Sequence, residues 1–502
     1  MVLRVRMVIP PILPGETDDR MSLNHDGFGI IRWQMKLRET SNGQTPDRSD
    51  LTAAKAVDTL TTRQRLLIVA LIFLIALGVR LLNRHSAGND ALVVQSSVAL
   101  NYKHLAELLH TNGLPSLYNA SSATNNPDLL GHPPGYPILL SLVYRVATNS
   151  DTAIQLLQLA LDSVSVVIIV LIAFELFPPA IGIISGLLCA FAPQFSWNSF
   201  TMLPDSLATL PILLALLLIA RNRQQHNRSG RSALFLIFTA GTLVGISCWL
   251  RANALLLAPF LSLVFLFTRK HEARWRLTLA LIGGALLIIS PLTIRNAIVF
   301  GRFIPVSLGV GQTLIEGIAD YNTDGSLGLP QTDLELTRAE AETYHRADYA
   351  DSLFTPDGVE RDRMRLTRGV AVIRAHPFWF AGVMVQRAAS MLRLERTPLR
   401  LTSTNISRWQ RILQSPLLLV QRLFITAIFL PLTLLGAYLV GYRRQFQTLG
   451  LLLVVPFYYF CAQSTLHTEY RYVLVIHYFL FVLAAAAVYW IACKIAAAYK
   501  AS

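Results

Sequence analysis

Long apolar runs decide what this chain can fold into. They lie at about 66–82, 153–177, 180–197, 201–220, 233–250, 253–267 and 277–299, and after a polar interval at 416–440, 446–461 and 472–493. A helix needs roughly 20 apolar residues to cross a bilayer core. Within that core every backbone polar group must be satisfied inside the segment, which leaves the helix as the natural form of such runs. The expected architecture is therefore an all-α polytopic transmembrane helix bundle of about 10–12 spans, with a polar layer of loops on one face. Composition agrees: 53% of residues are hydrophobic and 15% charged, against about 25% charged in soluble domains.

The net charge of +14 raises nucleic acid as a partner. The basic residues, however, sit in short loops between apolar runs, which is the pattern of cytoplasmic loops facing anionic lipid. No nucleic acid is expected. Cys189, Cys248, Cys461 and Cys493 fall in or beside apolar runs, without metal-ligand spacing, and read as small packing side chains.

The basic loops also set the topology. Arg63 and Arg65 precede the first run and put the N-terminus inside. If 136–147, which is short, does not cross, the clusters Arg221/Arg223/Arg228/Arg231, Arg269/Lys270/Arg274/Arg276, Arg443/Arg444 and Lys494/Lys500 all fall inside as well. Residues 136–147 then read as a surface or re-entrant helix. The chain divides into a poorly ordered cytoplasmic tail (1–65), a transmembrane module (66–298) with a first outer loop (83–137), an outer-face segment with interfacial helices (299–415), and C-terminal spans (416–502). In this topology Asp90, Asp205, Arg251, Arg295, Glu316, His467, Glu469 and Arg471 share the outer face.

Each of these residues has a chemical and a structural reading. Asp90, just past the first span, can take a proton from an attacking hydroxyl or amine, or can cap the helix that follows it. Asp205 opens a span and has the same two readings. Arg251, Arg295 and Arg471 lie at outer span ends, where a guanidinium fork can hold phosphate or simply snorkel. His132 and Tyr136 belong to His132-Pro133-Pro134-Gly135-Tyr136-Pro137, whose prolines stiffen the backbone and aim a short helix back at the membrane. Asp162 lies inside a span, where a charge needs a buried partner or a proton; a structural role is expected. The segment 361–393, with Phe378-Trp379-Phe380, reads as an interfacial helix or as a lid packed on the bundle.

The order of these pieces resembles the GT-C fold membrane glycosyltransferases. The nearest groups are the protein O-mannosyltransferases, the lipid A aminoarabinose transferases and the lipopolysaccharide-core galacturonosyltransferases. The resemblance rests on Asp90 in the first outer loop, Pro133-Pro134-Gly135-Tyr136-Pro137, Asp205, Leu250-Arg251 and Pro291-Leu292-Thr293-Ile294-Arg295-Asn296. Phe300-Gly301-Arg302-Phe303, Gly311-Gln312-Thr313-Leu314 and Arg471-Tyr472 extend it. It implies a polyprenyl-phosphate sugar donor held in membrane lipid, inverting transfer to an extracytoplasmic acceptor, and a place in the bacterial plasma membrane. It makes Asp90 and Asp205 the catalytic carboxylates, with His132, Tyr136, Arg251, Arg295, Glu316 and Arg471 as substrate-binding residues. Ala91 follows Asp90 where the family commonly has a second acidic or polar residue, so no metal or other cofactor is indicated, though a divalent ion stays open. A lipid-linked sugar transporter or flippase and a non-catalytic membrane scaffold are the alternatives. The sequence does not name the sugar, the acceptor or the oligomeric state.

Overall fold

The structure is a computed structural model that describes residues 60–87, 96–119, 130–147, 150–224, 230–268, 271–395 and 408–501. Asp90 and residues 1–59 of the expected tail lie outside the described residues. Those described form helices, short 3-10 turns and loops, with no β-strand among them.

The membrane part begins with α1 (Thr62–Ala87). After α2 (Ser96–Asn112) and α3 (Gly135–Ala147) come α4 (Asp151–Leu176), α5 (Pro179–Phe191), α6 (Pro193–Phe200), α7 (Asp205–Gln224), α8 (Gly230–Leu250), α9 (Leu257–Thr268) and α10 (His271–Phe300). The polar segment carries α11 (Val310–Ala319), α12 (Asp333–Tyr344), α13 (Gly358–Ala375) and α14 (Pro377–Ser390). The chain closes with α15 (Arg408–Gln421), α16 (Thr426–Tyr442), α17 (Phe446–Ala462) and α18 (Leu474–Ala501).

Seven helices are long and apolar enough to cross a membrane, or up to nine if each bent pair is one span. The protein is a multi-pass integral membrane protein. The difference from the expected count has local causes. The run at 180–197 is not one helix: Pro193 lacks an N–H and clashes with the preceding turn, and α5 and α6 meet at 54°. The run at 416–440 is likewise bent, by 56°. The run at 253–267 opens with a 3-10 turn at Ala252–Ala254, which leaves α9 only 12 residues. Helix α3, with 13 residues, is below the length of a crossing.

Packing shows which ends lie together. Helices α8 and α10 run parallel: a side chain at Gly241 would strike the Leu281 carbonyl, one at Gly245 the Ala285 carbonyl, and Trp249 further on donates to the Ile288 carbonyl. Small residues let the two backbones approach closely. Helices α16 and α18 are also parallel, with Thr433 Oγ1 donating to the Leu480 carbonyl at 3.3 Å. At one end of the bundle Arg221 pairs with Glu175 at 3.1 Å, Arg223 donates to Thr448 at 3.1 Å, and Arg443 lies over Trp490 at 4.6 Å. Those basic residues thus gather at one end, as their shared sidedness requires. Asp205, Leu250 and Arg471 come at the opposite ends of their helices.

Asp162 has its buried partner. Arg80 Nε lies 2.6 Å from Asp162 Oδ2, the two residues are 0% and 2% exposed, and the Tyr478 hydroxyl donates to Asp162 Oδ1 at 3.2 Å. The pair ties α1 to α4 and α18. Arg80→Ala leaves a buried carboxylate without its cation, which should cost about 3–5 kcal/mol. Thermal unfolding in detergent measures this. The joint replacement of Arg80 by Met and Asp162 by Leu should recover most of the loss, and a single variant as stable as wild type would refute the assignment.

The polar segment is a folded layer. Glu340 accepts from Arg361 (2.8 Å) and Arg365 (2.6 Å), all three buried, which joins α12 to α13. The expected interfacial helix at 361–393 is two helices, because His376-Pro377 ends α13 and starts α14. Arg387 of α14 donates to the carbonyls of Ser464 and Gly317, fastening the layer to the end of α17. Phe380 is buried beneath α14, whereas Phe378 is 92% exposed.

Candidate active site

The Asp205 end of the bundle brings five segments of chain together. The first is the turn into α7. Gln158 of α4 donates to the carbonyls of Thr201 (2.9 Å) and Leu203 (3.2 Å), and its Oε1 accepts from the Tyr136 hydroxyl at 2.8 Å. Tyr136 is fully buried, and its hydroxyl is engaged by Gln158, which fixes the backbone that presents Asp205. The second is the end of α8. Gly135 seats α3 against this end, since a Cβ there would come within 2.5 Å of the Trp249 carbonyl. Trp249 in turn donates to the Ile288 carbonyl at 2.6 Å. Arg251 follows on an extended residue at the mouth of the 3-10 turn.

Arg251 Nε lies 3.1 Å from Asp205 Oδ1. The contact is an ion pair without hydrogen-bond geometry, and neither Asp205 oxygen has a hydrogen-bond partner among the described residues. The Arg251 guanidinium stacks on the Tyr472 ring at 4.1 Å, and that of Arg471 stands 5.1 Å from the same ring. Arg471 also donates to Glu469 at 2.6 Å. The strand of chain at 470–473 is pinned to the α8 end by Asn253, which donates to the Tyr472 carbonyl at 3.1 Å. Two arginines and two carboxylates thus meet around one aromatic ring.

His132 completes the group with Tyr102 of α2. The two rings are 4.8 Å apart, and Tyr102 meets Tyr136 edge-on at 5.1 Å. Burial, reinforced by Arg251 and Arg471, lowers the His132 pKa to about 4. Its imidazole is therefore neutral at physiological pH and offers a donor or an acceptor rather than a cation. Burial raises the Tyr102 pKa to about 12. The polar layer comes close here too: Leu308 N donates to the Leu130 carbonyl at 2.9 Å, and His467 N to the Thr313 carbonyl at 2.7 Å.

Two expected residues fall into other groups. Arg295 donates to the Leu117 carbonyl at 2.7 Å and to Asn296 at 2.8 Å. Asn296 donates to the carbonyls of Ile304 and Val306, so the pair clamps the loops around the end of α10. Glu316 sits in the polar layer with Gln312, which donates to it at 3.1 Å and to Asp333 at 3.2 Å. Burial and Asp333 raise the Glu316 pKa to about 9. His467 pairs with Asp320 at 2.7 Å. Among the described residues no three of His, Cys, Asp and Glu cluster so as to hold a metal ion.

Sequence reasoning singled out neither Tyr102 nor Gln158. Tyr102 lies in α2 as an ordinary inward aromatic, and only the approach of the His132 motif gives it polar neighbours. Gln158 carried a signal, a glutamine within an apolar run.

A family described as dolichyl-phosphate-mannose-protein mannosyltransferase matches residues 131–294. That stretch holds His132, Tyr136, Asp205 and Arg251. No curated protein sequence matches the chain. Among solved structures, the oligosaccharyltransferase of Archaeoglobus fulgidus in its apo form is 15% identical with a TM-score of 0.51, covering 88% of this chain and 52% of its own. The same organism's AglB, in complex with an inhibitory peptide and a dolichol-phosphate, gives 14% and 0.48, with 87% and 51% covered. ArnT from Cupriavidus metallidurans bound to undecaprenyl phosphate gives 15% and 0.33, with 80% and 78% covered. The chain spans about half the length of the archaeal enzymes it matches. Its fold is GT-C-like, shared with the Archaeoglobus fulgidus oligosaccharyltransferase, and its residues 131–294 resemble the mannosyltransferase family.

Proposed function

We propose that the protein transfers a sugar from a polyprenyl-phosphate donor to an acceptor on the extracytoplasmic side of a bacterial plasma membrane, with inversion. One observation carries this reading: Asp205, Arg251 and Arg471 meet beside His132 at the bundle end away from the basic loops. A lipid-borne substrate holds its phosphate at this depth, and arginines at span ends can meet it there. The relatives were solved with a dolichol-phosphate and with undecaprenyl phosphate, the same chemical class.

The chemistry is a single displacement. The acceptor oxygen or nitrogen attacks the anomeric carbon and forms the new glycosidic bond. The bond from that carbon to the phosphate oxygen breaks, and its electron pair leaves with the lipid phosphate. The proton shed by the acceptor goes to Asp90. Arg251 and Arg471 stabilise the charge that grows on the phosphate. In the resting arrangement each is paired with a carboxylate, so donor binding must draw them towards the phosphate. Phe378, on the layer that follows α10, is exposed and has the apolar character that suits contact with lipid.

Membranes assayed with a panel of labelled polyprenyl-phosphate sugars, with hexoses and pentoses represented, test this reading. Transfer of label from at least one donor is expected, and none from any would refute it. Sidedness has its own test. In a background with Cys493→Ser, Ser326→Cys should react with an impermeant thiol reagent from outside, and Arg444→Cys only after permeabilisation. The reverse pattern would put the site on the cytoplasmic face.

A further inference from the structure

Two side chains at the Asp205 site hold buried polar atoms whose hydrogen-bonding capacity is not filled among the described residues: the Tyr102 hydroxyl, which beside the Arg251 guanidinium still has its proton to donate, and both oxygens of Asp205. Tyr102 is 0% exposed and Asp205 6%. They are neighbours by packing, because Tyr102 shares one buried cluster with Met202, Leu203 and Leu207, which bracket Asp205. Buried polar groups in native proteins are almost always satisfied, and an exception asks for its missing partner. Here the vacant groups are complementary. A phenol can donate one hydrogen bond, and an ionised carboxylate can only accept. A phosphate would suit the first and be repelled by the second. An alcohol suits both, since its oxygen accepts while its hydrogen is donated.

We propose that Tyr102 and Asp205 clamp one hydroxyl of the sugar carried by the lipid phosphate. Its oxygen accepts from the Tyr102 hydroxyl, and its proton is donated to Asp205. Arg251 serves both arms. Its guanidinium stands 3.1 Å from the carboxylate and places a positive charge beside it, and where that guanidinium approaches the phenol oxygen the phenol still has its own proton to give. Stacking on Tyr472 at 4.1 Å holds Arg251 in place, and the His132 and Tyr136 rings hold that of Tyr102. The clamp rests on the transferase reading and adds to it a specificity element: a site built around a hydroxyl rejects the analogue that lacks it far more strongly than an apolar pocket rejects a missing methylene.

The test compares purified wild type and Tyr102→Phe for binding of three lipids: polyprenyl-phosphate sugars from the panel, bare polyprenyl phosphate, and polyprenol. Phe keeps the ring and its packing and removes only the donor. The expected result is a loss of about tenfold for the sugar-bearing lipid that wild type binds best, with the other two unchanged and the melting temperature preserved. Asp205→Asn should lower the affinity for the sugar-bearing lipid relative to that for bare polyprenyl phosphate. Equal affinity of Tyr102→Phe for the loaded lipid, or an equal loss on all three lipids, would overturn the clamp. Wild type that binds loaded and bare phosphate lipids alike would overturn it as well and leave the transferase reading standing. Wild type that binds neither would overturn both.

Discussion

Asp90→Asn should reduce turnover by about two to four orders of magnitude while leaving the protein folded and able to bind donor. An attacking hydroxyl sheds its proton during transfer, and a positioned carboxylate is the group that takes it. Asn has nearly the same size and caps helices as well as Asp does, so the substitution preserves the start of a following helix and removes the proton acceptor. The competing account, in which Asp90 only caps, expects almost no change. Purified variant and wild type compared at saturating donor separate the two. More than about a third of wild-type turnover would exclude a general base of that size. Of the four carboxylates expected on this face, Glu316 sits apart in the polar layer with Gln312, and the other three divide by environment. Asp205 is paired with Arg251, Glu469 with Arg471, and each shares its charge with a guanidinium. The proposed mechanism gives the role of general base to Asp90 rather than to either of these.

Much of the architecture was legible because its cause is local. The spans follow from run length, and the shared sidedness of the basic loops follows from charge. Two breaks escaped although proline marks them: the runs through Pro193 and Pro377 both read as continuous. Residues at the Asp205 end were legible as a set, since Asp205, Arg251 and Arg471 each sit at a span end. What escaped was pairing over long separation. Arg80, the partner of Asp162, is 82 residues away from it in the chain. Arg361 and Arg365 belong to the segment that reads as an interfacial helix or a lid, and Glu340 pairs with both. Arg295 looked equivalent to Arg251, and only the fold shows that its donors meet the Leu117 carbonyl and Asn296. Sequence marks where a charge sits along a helix; which other element turns towards it is a property of packing.

Arg251→Ala is the second substitution with a large expected effect, a fall in turnover of about 10²–10³-fold. Charge grows on the departing phosphate as its bond to the sugar breaks, and a preoriented guanidinium in a site with little water stabilises that charge strongly. The stacking of Arg251 on Tyr472 and its ion pair with Asp205 supply the orientation. The same ion pair complicates the experiment, because the alanine variant also leaves Asp205 buried without its cation, a change that acts on stability. Arg251→Lys resolves the ambiguity. Lysine restores a positive charge next to Asp205 but has no planar fork to hold phosphate oxygens in pairs. If Arg251 matters only as the counter-ion of Asp205, lysine should restore both the melting temperature and the rate. If it holds phosphate, lysine should restore the melting temperature while turnover stays at least tenfold below wild type, with most of the deficit in kcat at saturating donor. An alanine variant within threefold of wild-type turnover would remove Arg251 from the mechanism altogether.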